Sequence, residues 1–176
     1  KPERVNGIIL VAPAVWARTE IPLYQRFALW MSAHTVPCMK VSGTSLDIVA
    51  SDNTEMIREL GRYPLVIKES RIEALYGLSN LMDEAYSLAE ELRSKTLLLY
   101  GQKDEIIPRT PVSTVYDRLP GRADGTQQLI LYENGYHMLL RDLQAEVVLH
   151  DIVDWITHQS STVTDTSQPA GSITRN

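Results

Sequence analysis

Apolar residues along this chain fall into short continuous runs separated by longer stretches of amphipathic character. Three runs, Ile8 to Ala12, Thr96 to Tyr100 and Gln128 to Tyr132, are dominated by apolar residues and end at proline, glycine or polar positions. Runs of this length and composition are typical of buried strands in a parallel sheet. The pattern therefore predicts three core strands.

The long stretch between the first two strands, Trp16 to about Lys95, is predicted to be mostly helical. In its first helix, apolar residues follow the i, i+3, i+4, i+7 spacing of an amphipathic helix. The elements predicted here are a helix from Pro22 to His34, a helix through about Leu60 capped within Ser51-Asp52-Asn53-Thr54 and closed by Gly61, an extended segment at Tyr63 to Val66, and a helix from Arg71 to about Arg93.

Helices are also predicted after the second and third strands. They run from Thr110 to Leu119 and from Leu139 to about His158, the latter with an apolar stripe that includes Val148, Ile152 and Trp155. The resulting order of strand, helical insertion, strand, helix, strand, helix indicates an α/β fold with a parallel sheet.

Composition narrows the class of protein. The chain has 176 residues, of which 44% are hydrophobic and 22% charged, as in an ordinary soluble domain. The net charge of −5 argues against a nucleic-acid partner. The single cysteine, Cys38, excludes an internal disulfide and favours a reducing, cytoplasmic compartment. No apolar run is long enough to predict a membrane span, and a targeting segment upstream is left open.

Two acid/base residues follow successive strands. Asp104 comes shortly after the second strand and His137 shortly after the third, and parallel α/β sheets place their sites at the carboxyl ends of strands. An Asp that accepts the Nδ1–H of a His general base would form two-thirds of a Ser-His-Asp site. The alternatives are that Asp104 only caps its loop and that His137 is a surface histidine. No Gly-x-Ser-x-Gly nucleophile elbow occurs in the 176 residues.

These motifs resemble a known family. Gly101-x-x-Asp104-x-Ile106-Ile107-Pro108 and Gly135-Tyr136-His137 resemble the C-terminal half of the α/β-hydrolase superfamily, in particular the monoacylglycerol lipase/lysophospholipase-like group. The opening, Pro2 to Ala14, is similar to the strand that follows the nucleophile helix in that group. The resemblance implies that the serine lies roughly a dozen residues before Lys1, and the oxyanion-hole amides there and further upstream.

The resemblance also implies an organisation and an activity. It divides the chain into a core strand (1–14), a helical cap insertion (15–79) and the C-terminal part of the hydrolase core (80–158), while the Ser/Thr-rich composition of 159–176 predicts a disordered tail. The implied function is hydrolysis of carboxylic esters, such as a monoacylglycerol or a lysophospholipid, by Asp104, His137 and a serine in a missing N-terminal half. No cofactor or metal is implied. These 176 residues alone are then expected to be inactive, and the alternative is a non-catalytic binding protein or an inactive fragment.

Several other residues are possible functional candidates. Ser45 is the nearest approach to an elbow but lacks the second glycine, and Cys38 is interpreted as a packed apolar residue. The cap residues Phe27, Trp30, Met31 and Tyr76 are either plain core or the lining of an acyl groove. The remaining titratable candidates are interpreted as packing, helix-surface or solvent-facing groups: His34, His150, His158, Glu105, Asp142, Asp151 and Asp154.

Overall fold

The computed structural model of the chain describes residues 5–16, 18, 21–43, 48–161 and 173–175. Short 3-10 turns at Ala89–Glu91 and Pro120–Arg122 supplement the strands and helices. The elements in chain order are β1 (Ile8–Val11), α1 (Leu23–Thr35), β2 (Lys40–Val41), α2 (Thr54–Arg62), β3 (Ser70–Arg71), α3 (Ile72–Leu88), β4 (Thr96–Gly101), α4 (Arg109–Arg118), β5 (Gln127–Tyr132), α5 (Ala145–Ser161) and β6 (Ile173–Arg175).

The main sheet of the described residues is parallel and has the order β1-β4-β5-β6. β1 pairs with β4 from Ile8 beside Thr96 to Val11 beside Leu99, although the whole helical insertion separates the two strands in sequence. β5 continues the sheet on the other side of β4. This architecture confirms the predicted α/β fold with a parallel sheet and a helical insertion between its first two strands.

β4 is the centre of the core because it has neighbours on both edges and packing on both faces. Its three consecutive leucines, Leu97 to Leu99, are 0% exposed. Leu98 and Tyr100 pack with residues of α4, including Val112, while Leu97 and Leu99 pack with Leu139 and Val148 on the other face. Each fully buried leucine contributes about 1.5–3 kcal/mol of hydrophobic stabilisation. This packing fixes the carboxyl end of β4, where Asp104 follows.

The helical insertion packs less tightly than the sheet. α1 contacts α3, and the ion pair between Arg18 Nε and Asp83 Oδ2 at 3.1 Å ties the start of this region to α3. α1 forms where its apolar spacing predicts it, but none of its residues is buried. Tyr24, Phe27 and Met31 are instead 71%, 60% and 45% exposed. For Phe27 and Met31, the alternative of plain core is therefore wrong.

Four local predictions differ from the structure. α2 starts as predicted, with the Asn53 side chain accepting from the Met56 amide, but continues past Gly61 to Arg62. Tyr63 to Val66 forms a turn, closed by a hydrogen bond of 3.2 Å from the Val66 amide to the Tyr63 carbonyl, and is not extended. The long helix predicted to reach about Arg93 ends as α3 at Leu88 and continues only as the 3-10 turn to Glu91. α5 begins at Ala145 rather than Leu139.

The end of the chain also differs from the expectation of a disordered tail over 159–176. α5 extends to Ser161, and β6 pairs in parallel with β5, with Ile130 beside Ile173. That pairing satisfies backbone groups along the otherwise open edge of β5. The remaining tail residues, 162–172 and 176, lie outside the described residues.

Candidate active site

The turns after β4 and β5 are joined by backbone hydrogen bonds. The Gln102 amide donates to the Tyr132 carbonyl and the Lys103 amide donates to the Gly135 carbonyl, both at 2.9 Å. These bonds continue the pairing of the two strands beyond their last residues. The loop that carries Asp104 is thereby held against the loop that carries His137.

Two glycines allow this close approach. A Cβ atom at Gly101 would overlap the carbonyl group of Gly135 and the carbonyl oxygen of Tyr136. A Cβ at Gly135 would in turn overlap the Leu139 side chain and come within 2.9 Å of Tyr132 Cβ. The obstructing atoms at Gly101 belong to backbone, which cannot move aside as the end of a flexible side chain can. The glycines of both motifs therefore have a packing reason that is independent of any chemistry.

We expect Gly101→Ala to destabilise the protein by about 1–3 kcal/mol or more, since overpacking against backbone forces the two turns apart. Gly77→Ala is the matched control, because Gly77 lies within α3 and an added Cβ meets nothing within 4 Å. Replacing a helical glycine with alanine should stabilise by about 0.5–1 kcal/mol. Urea unfolding of both variants measures the difference, and equal stabilities would contradict the role given to Gly101.

Asp104 and His137 are in direct contact. Asp104 Oδ2 lies 2.8 Å from His137 Nδ1, and Oδ1 accepts the amides of Ile106 and Ile107 at 2.8 and 2.9 Å. The Asp104 side chain is 0% exposed, whereas that of His137 is 27% exposed. The carboxylate is thus fixed by three donors, while solvent or a substrate has access to the imidazole.

The electrostatics of this pair favour an ionised carboxylate. Burial by itself raises the pKa of Asp104, but the hydrogen bonds from His137, Ile107 and Ile106, together with the charge of His137, lower it below its ordinary value. Because the pKa of Asp104 is lower in the folded than in the unfolded protein, ionised Asp104 stabilises the fold above the unfolded-state pKa. This stabilisation is lost as the pH falls through the lowered folded-state pKa.

Tyr100 stabilises the loop that carries Asp104 through a side-chain hydrogen bond. Its hydroxyl donates to the Ile107 carbonyl at 2.7 Å, and the side chain is almost fully buried. Burial, with a further contribution from the charge of Asp104, raises the pKa of Tyr100 to about 12. The phenol is therefore protonated at neutral pH and remains a donor to this turn.

The pair has the arrangement needed for general base catalysis. An ionised Asp at Nδ1 fixes the imidazole in the tautomer whose Nε2 can accept a proton, and stabilises the imidazolium that then forms. Among the described residues, no group of three or more His, Cys, Asp and Glu residues is arranged to hold a metal ion.

The other predicted candidates lie apart from this hydrogen-bonded pair or outside the description. Ser45 lies outside the described residues. Cys38 is exposed, so its interpretation as a packed apolar residue is wrong, and its Sγ lies 3.2 Å from the Arg71 guanidinium. Glu105 is exposed as predicted, and its carboxylate accepts the Val49 amide at 2.8 Å. The three remaining histidines make helix contacts: His34 with the Trp30 carbonyl, His150 with the Asp154 carboxylate and His158 with the Asp154 carbonyl.

Two aspartates predicted to be helix-surface charges are buried. Asp142 is 6% exposed and lies in the turn before α5, and Asp151 is 9% exposed with its carboxylate accepting the Tyr132 hydroxyl at 2.9 Å. The apolar stripe of the predicted helix does not show that these two aspartates are buried, because their hydrogen-bond partners lie in other parts of the chain. Only Asp154 of the three is exposed.

A groove of about 540 Å³ opens beside α1 and α3. Its lining is mixed, with aromatic and aliphatic side chains accompanied by two arginines. The lining residues are Arg18, Ile21, Leu23, Gln25, Arg26, Phe27, Leu29, Trp30, Tyr76 and Ser79.

Within the part of the chain that the structure describes, no helix combines the length and the apolar character that a membrane span requires.

Comparison with known proteins places this chain in a family. The family model Hydrolase_4, described as Serine aminopeptidase, S33, matches residues 1–144. The chain is 24% identical over 159 residues to a monoacylglycerol lipase of Mycolicibacterium smegmatis, covering 88% of this chain and 54% of that protein. The chain therefore spans about half the length of this curated relative.

Solved structures show the same fold. A monoacylglycerol lipase of Paleococcus ferrophilus superposes with a TM-score of 0.75 at 19% identity, covering 90% of this chain and 61% of the other. A soluble variant of the monoglyceride lipase of Saccharomyces cerevisiae superposes with a TM-score of 0.67 at 16% identity, covering 86% and 55%. Both support the α/β-hydrolase fold for most of this chain.

Proposed function

The chain belongs to the Hydrolase_4 family (Serine aminopeptidase, S33) of α/β-hydrolases, and from this membership we propose that the full-length protein hydrolyses carboxylic esters. Asp104 and His137 would be two members of its Ser-His-Asp triad. The observation that carries the proposal is the 2.8 Å contact between Asp104 Oδ2 and His137 Nδ1 at the carboxyl ends of neighbouring parallel strands.

In the proposed mechanism, His137 takes the proton from a serine hydroxyl as the serine oxygen attacks the ester carbonyl. The imidazolium, stabilised by Asp104, then donates that proton to the leaving alcohol, which leaves an acyl-enzyme. His137 next activates a water molecule that releases the acid and restores the serine. The serine and the oxyanion donors would come from a segment outside these 176 residues. Two facts support this: the sequence lacks Gly-x-Ser-x-Gly, and the matched relatives are longer.

The proposed substrate carries an apolar acyl chain, as in a monoacylglycerol or a lysophospholipid. The groove beside α1 supports this class, because Phe27 and Trp30 line it while remaining 60% and 47% exposed. The rest of its apolar lining is Ile21, Leu23, Leu29 and Tyr76. A groove with exposed aromatic walls provides area on which an alkyl chain can be desolvated. Residues 15–79 would then be a cap over the site, and a cytoplasmic location stays a prediction from Cys38.

Turnover of matched substrates by the full-length protein tests the proposed function. We expect hydrolysis of a monoacylglycerol and of a lysophosphatidylcholine, with weaker hydrolysis of a short p-nitrophenyl ester that cannot fill the groove. An aminoacyl p-nitroanilide serves as the peptidase arm. Hydrolysis of the anilide without the esters would contradict the substrate class, and no hydrolysis by well-folded protein would favour the non-catalytic binding alternative.

The 176 residues alone are expected to show no esterase activity above background. The nucleophile and the oxyanion donors each supply a large part of the rate, and this proposal places both elsewhere. Hydrolysis of a p-nitrophenyl ester by the purified chain measures this. Activity that Ser45→Ala abolishes would show that the nucleophile lies within the chain.

A further inference from the structure

A second buried carboxylate, that of Asp142, lies in the turn that follows His137. Its Oδ2 accepts the backbone amide of Tyr136 at 2.8 Å, and its Oδ1 accepts the hydroxyl of Ser51 at 2.6 Å. Asp142 and Ser51 are 6% and 3% exposed. A buried carboxylate is costly unless donors satisfy it, so this pairing is a specific feature of the fold.

The bond to Tyr136 acts on the residue that immediately precedes His137. It closes the segment between them into a compact turn, which the amides of Arg141 and Asp142 complete by donating to the Met138 carbonyl at 2.7 and 3.1 Å. The backbone of His137 is thus held from both sides. This is also the physical reason why α5 does not begin at Leu139.

Ser51 belongs to the helical insertion and lies 91 residues from Asp142 in sequence. The segment from Ala50 to Asn53 runs alongside the His137 turn and bonds to it repeatedly. The further hydrogen bonds are from the Met138 amide to the Ala50 carbonyl at 3.0 Å, from the Leu143 amide to Asp52 Oδ1 at 2.8 Å and from Asn53 Nδ2 to the Arg141 carbonyl at 3.1 Å. The insertion therefore contributes directly to the support of the His137 turn.

We propose that Asp142 is a positioning residue that holds the imidazole of His137 against Asp104 through the backbone of Tyr136. Ser51 fixes the Asp142 carboxylate in turn, so that the seating of the insertion and the geometry of the Asp104–His137 pair are coupled. The effect on catalysis rests on the ester hydrolysis proposed above, whereas the effect on the imidazole does not.

Two substitutions at Asp142 separate positioning from charge. Asp142→Ala removes both acceptors, and misplacement of a catalytic base by about 1 Å can cost on the order of 10²-fold. We expect kcat to fall by about that factor with little change in KM. Asp142→Asn can still accept the Tyr136 amide through its oxygen and donate to Ser51 through its nitrogen. It should therefore restore most of the lost kcat.

Ser51→Ala and Asp151→Asn complete the series. Ser51→Ala leaves the bond to Tyr136 intact, so its loss of kcat should lie between those of wild type and Asp142→Ala. Asp151→Asn is the matched control, since Asp151 is a buried carboxylate of α5 that accepts the Tyr132 hydroxyl. It should lower the melting temperature while kcat stays near the wild-type value.

The decisive measurement is a histidine-selective ¹⁵N spectrum of the full-length protein, with the His137 signals assigned by their loss in His137→Ala. Wild-type His137 should be mainly the Nδ1–H tautomer, and Asp142→Ala should shift it toward a mixture while Asp151→Asn does not. An unchanged tautomer in folded Asp142→Ala would overturn the proposal. If Asp142→Ala does not fold, Ser51→Ala must show a smaller shift of the His137 tautomer in the same direction, and its absence would overturn the proposal. Should the wild type hydrolyse no ester, the proposed function fails and the tautomer still decides the role of Asp142.

Discussion

The full-length protein carrying His137→Ala is expected to retain its fold and to lose kcat by on the order of 10³-fold or more. His137 is the group that accepts and returns the proton in the proposed mechanism, and triad members act as a unit. Its side chain is 27% exposed and contacts Asp104, so its removal leaves no large cavity in the core. Initial rates with a monoacylglycerol, beside far-UV circular dichroism, measure the effect.

His150→Ala is the matched control for this substitution. His150 also bonds an aspartate through Nδ1, at 3.1 Å from Asp154, but it is 75% exposed on α5. We expect it to leave kcat unchanged. Near-normal turnover by folded His137→Ala would remove His137 from the mechanism, whatever the control shows.

Asp104→Asn should lower kcat by about 10³- to 10⁴-fold with little change in KM. An amide that keeps its oxygen toward the Ile106 and Ile107 amides would present its NH₂ group to His137 Nδ1, which would stabilise the wrong imidazole tautomer. The wild-type carboxylate is ionised well below neutral pH, because the pKa of Asp104 is lowered in the folded protein. The loss of kcat should therefore persist across the neutral pH range.

Asp124→Asn controls for the loss of a loop-capping carboxylate. Asp124 accepts the Thr126 amide and hydroxyl at 3.0 and 2.7 Å, and these bonds lower its pKa too. It caps the turn before β5, at the opposite end of that strand from His137, so kcat should not change. If Asp104→Asn and Asp124→Asn lowered kcat equally, the loss in Asp104→Asn could not be attributed to its hydrogen bond with His137.

The Asp104–His137 contact can be predicted from sequence because a local pattern places each of the two side chains. In each motif an apolar strand is followed by a glycine, and the acid or base comes three or fewer residues after that glycine. This pattern places each side chain at the end of a strand. Parallel pairing of the two strands then brings their ends together. Helix lengths and the face of α1 were less accessible. The spacing of Tyr24, Phe27 and Met31 identifies an amphipathic helix but not what covers its apolar face, and in the structure that face is exposed.

Asp142 shows the opposite case. Asp142 lies in a segment whose apolar stripe continues into α5. The pattern therefore predicts one helix from Leu139, with Asp142 on its surface. The structure instead forms a turn, since bonds from Tyr136 and from Ser51, 91 residues away, capture the carboxylate. A hydrogen bond over that separation has no periodic signature. Only the three-dimensional arrangement of the side chains shows it.

The measurement that tests the central claim most directly is labelling of the full-length protein with a fluorophosphonate probe, followed by mapping of the labelled peptide. The account predicts a single labelled serine in the segment that precedes Lys1, with labelling strongly slowed by His137→Ala. Absence of labelling in well-folded protein, or a label on a serine within the 176 residues such as Ser45, would contradict it.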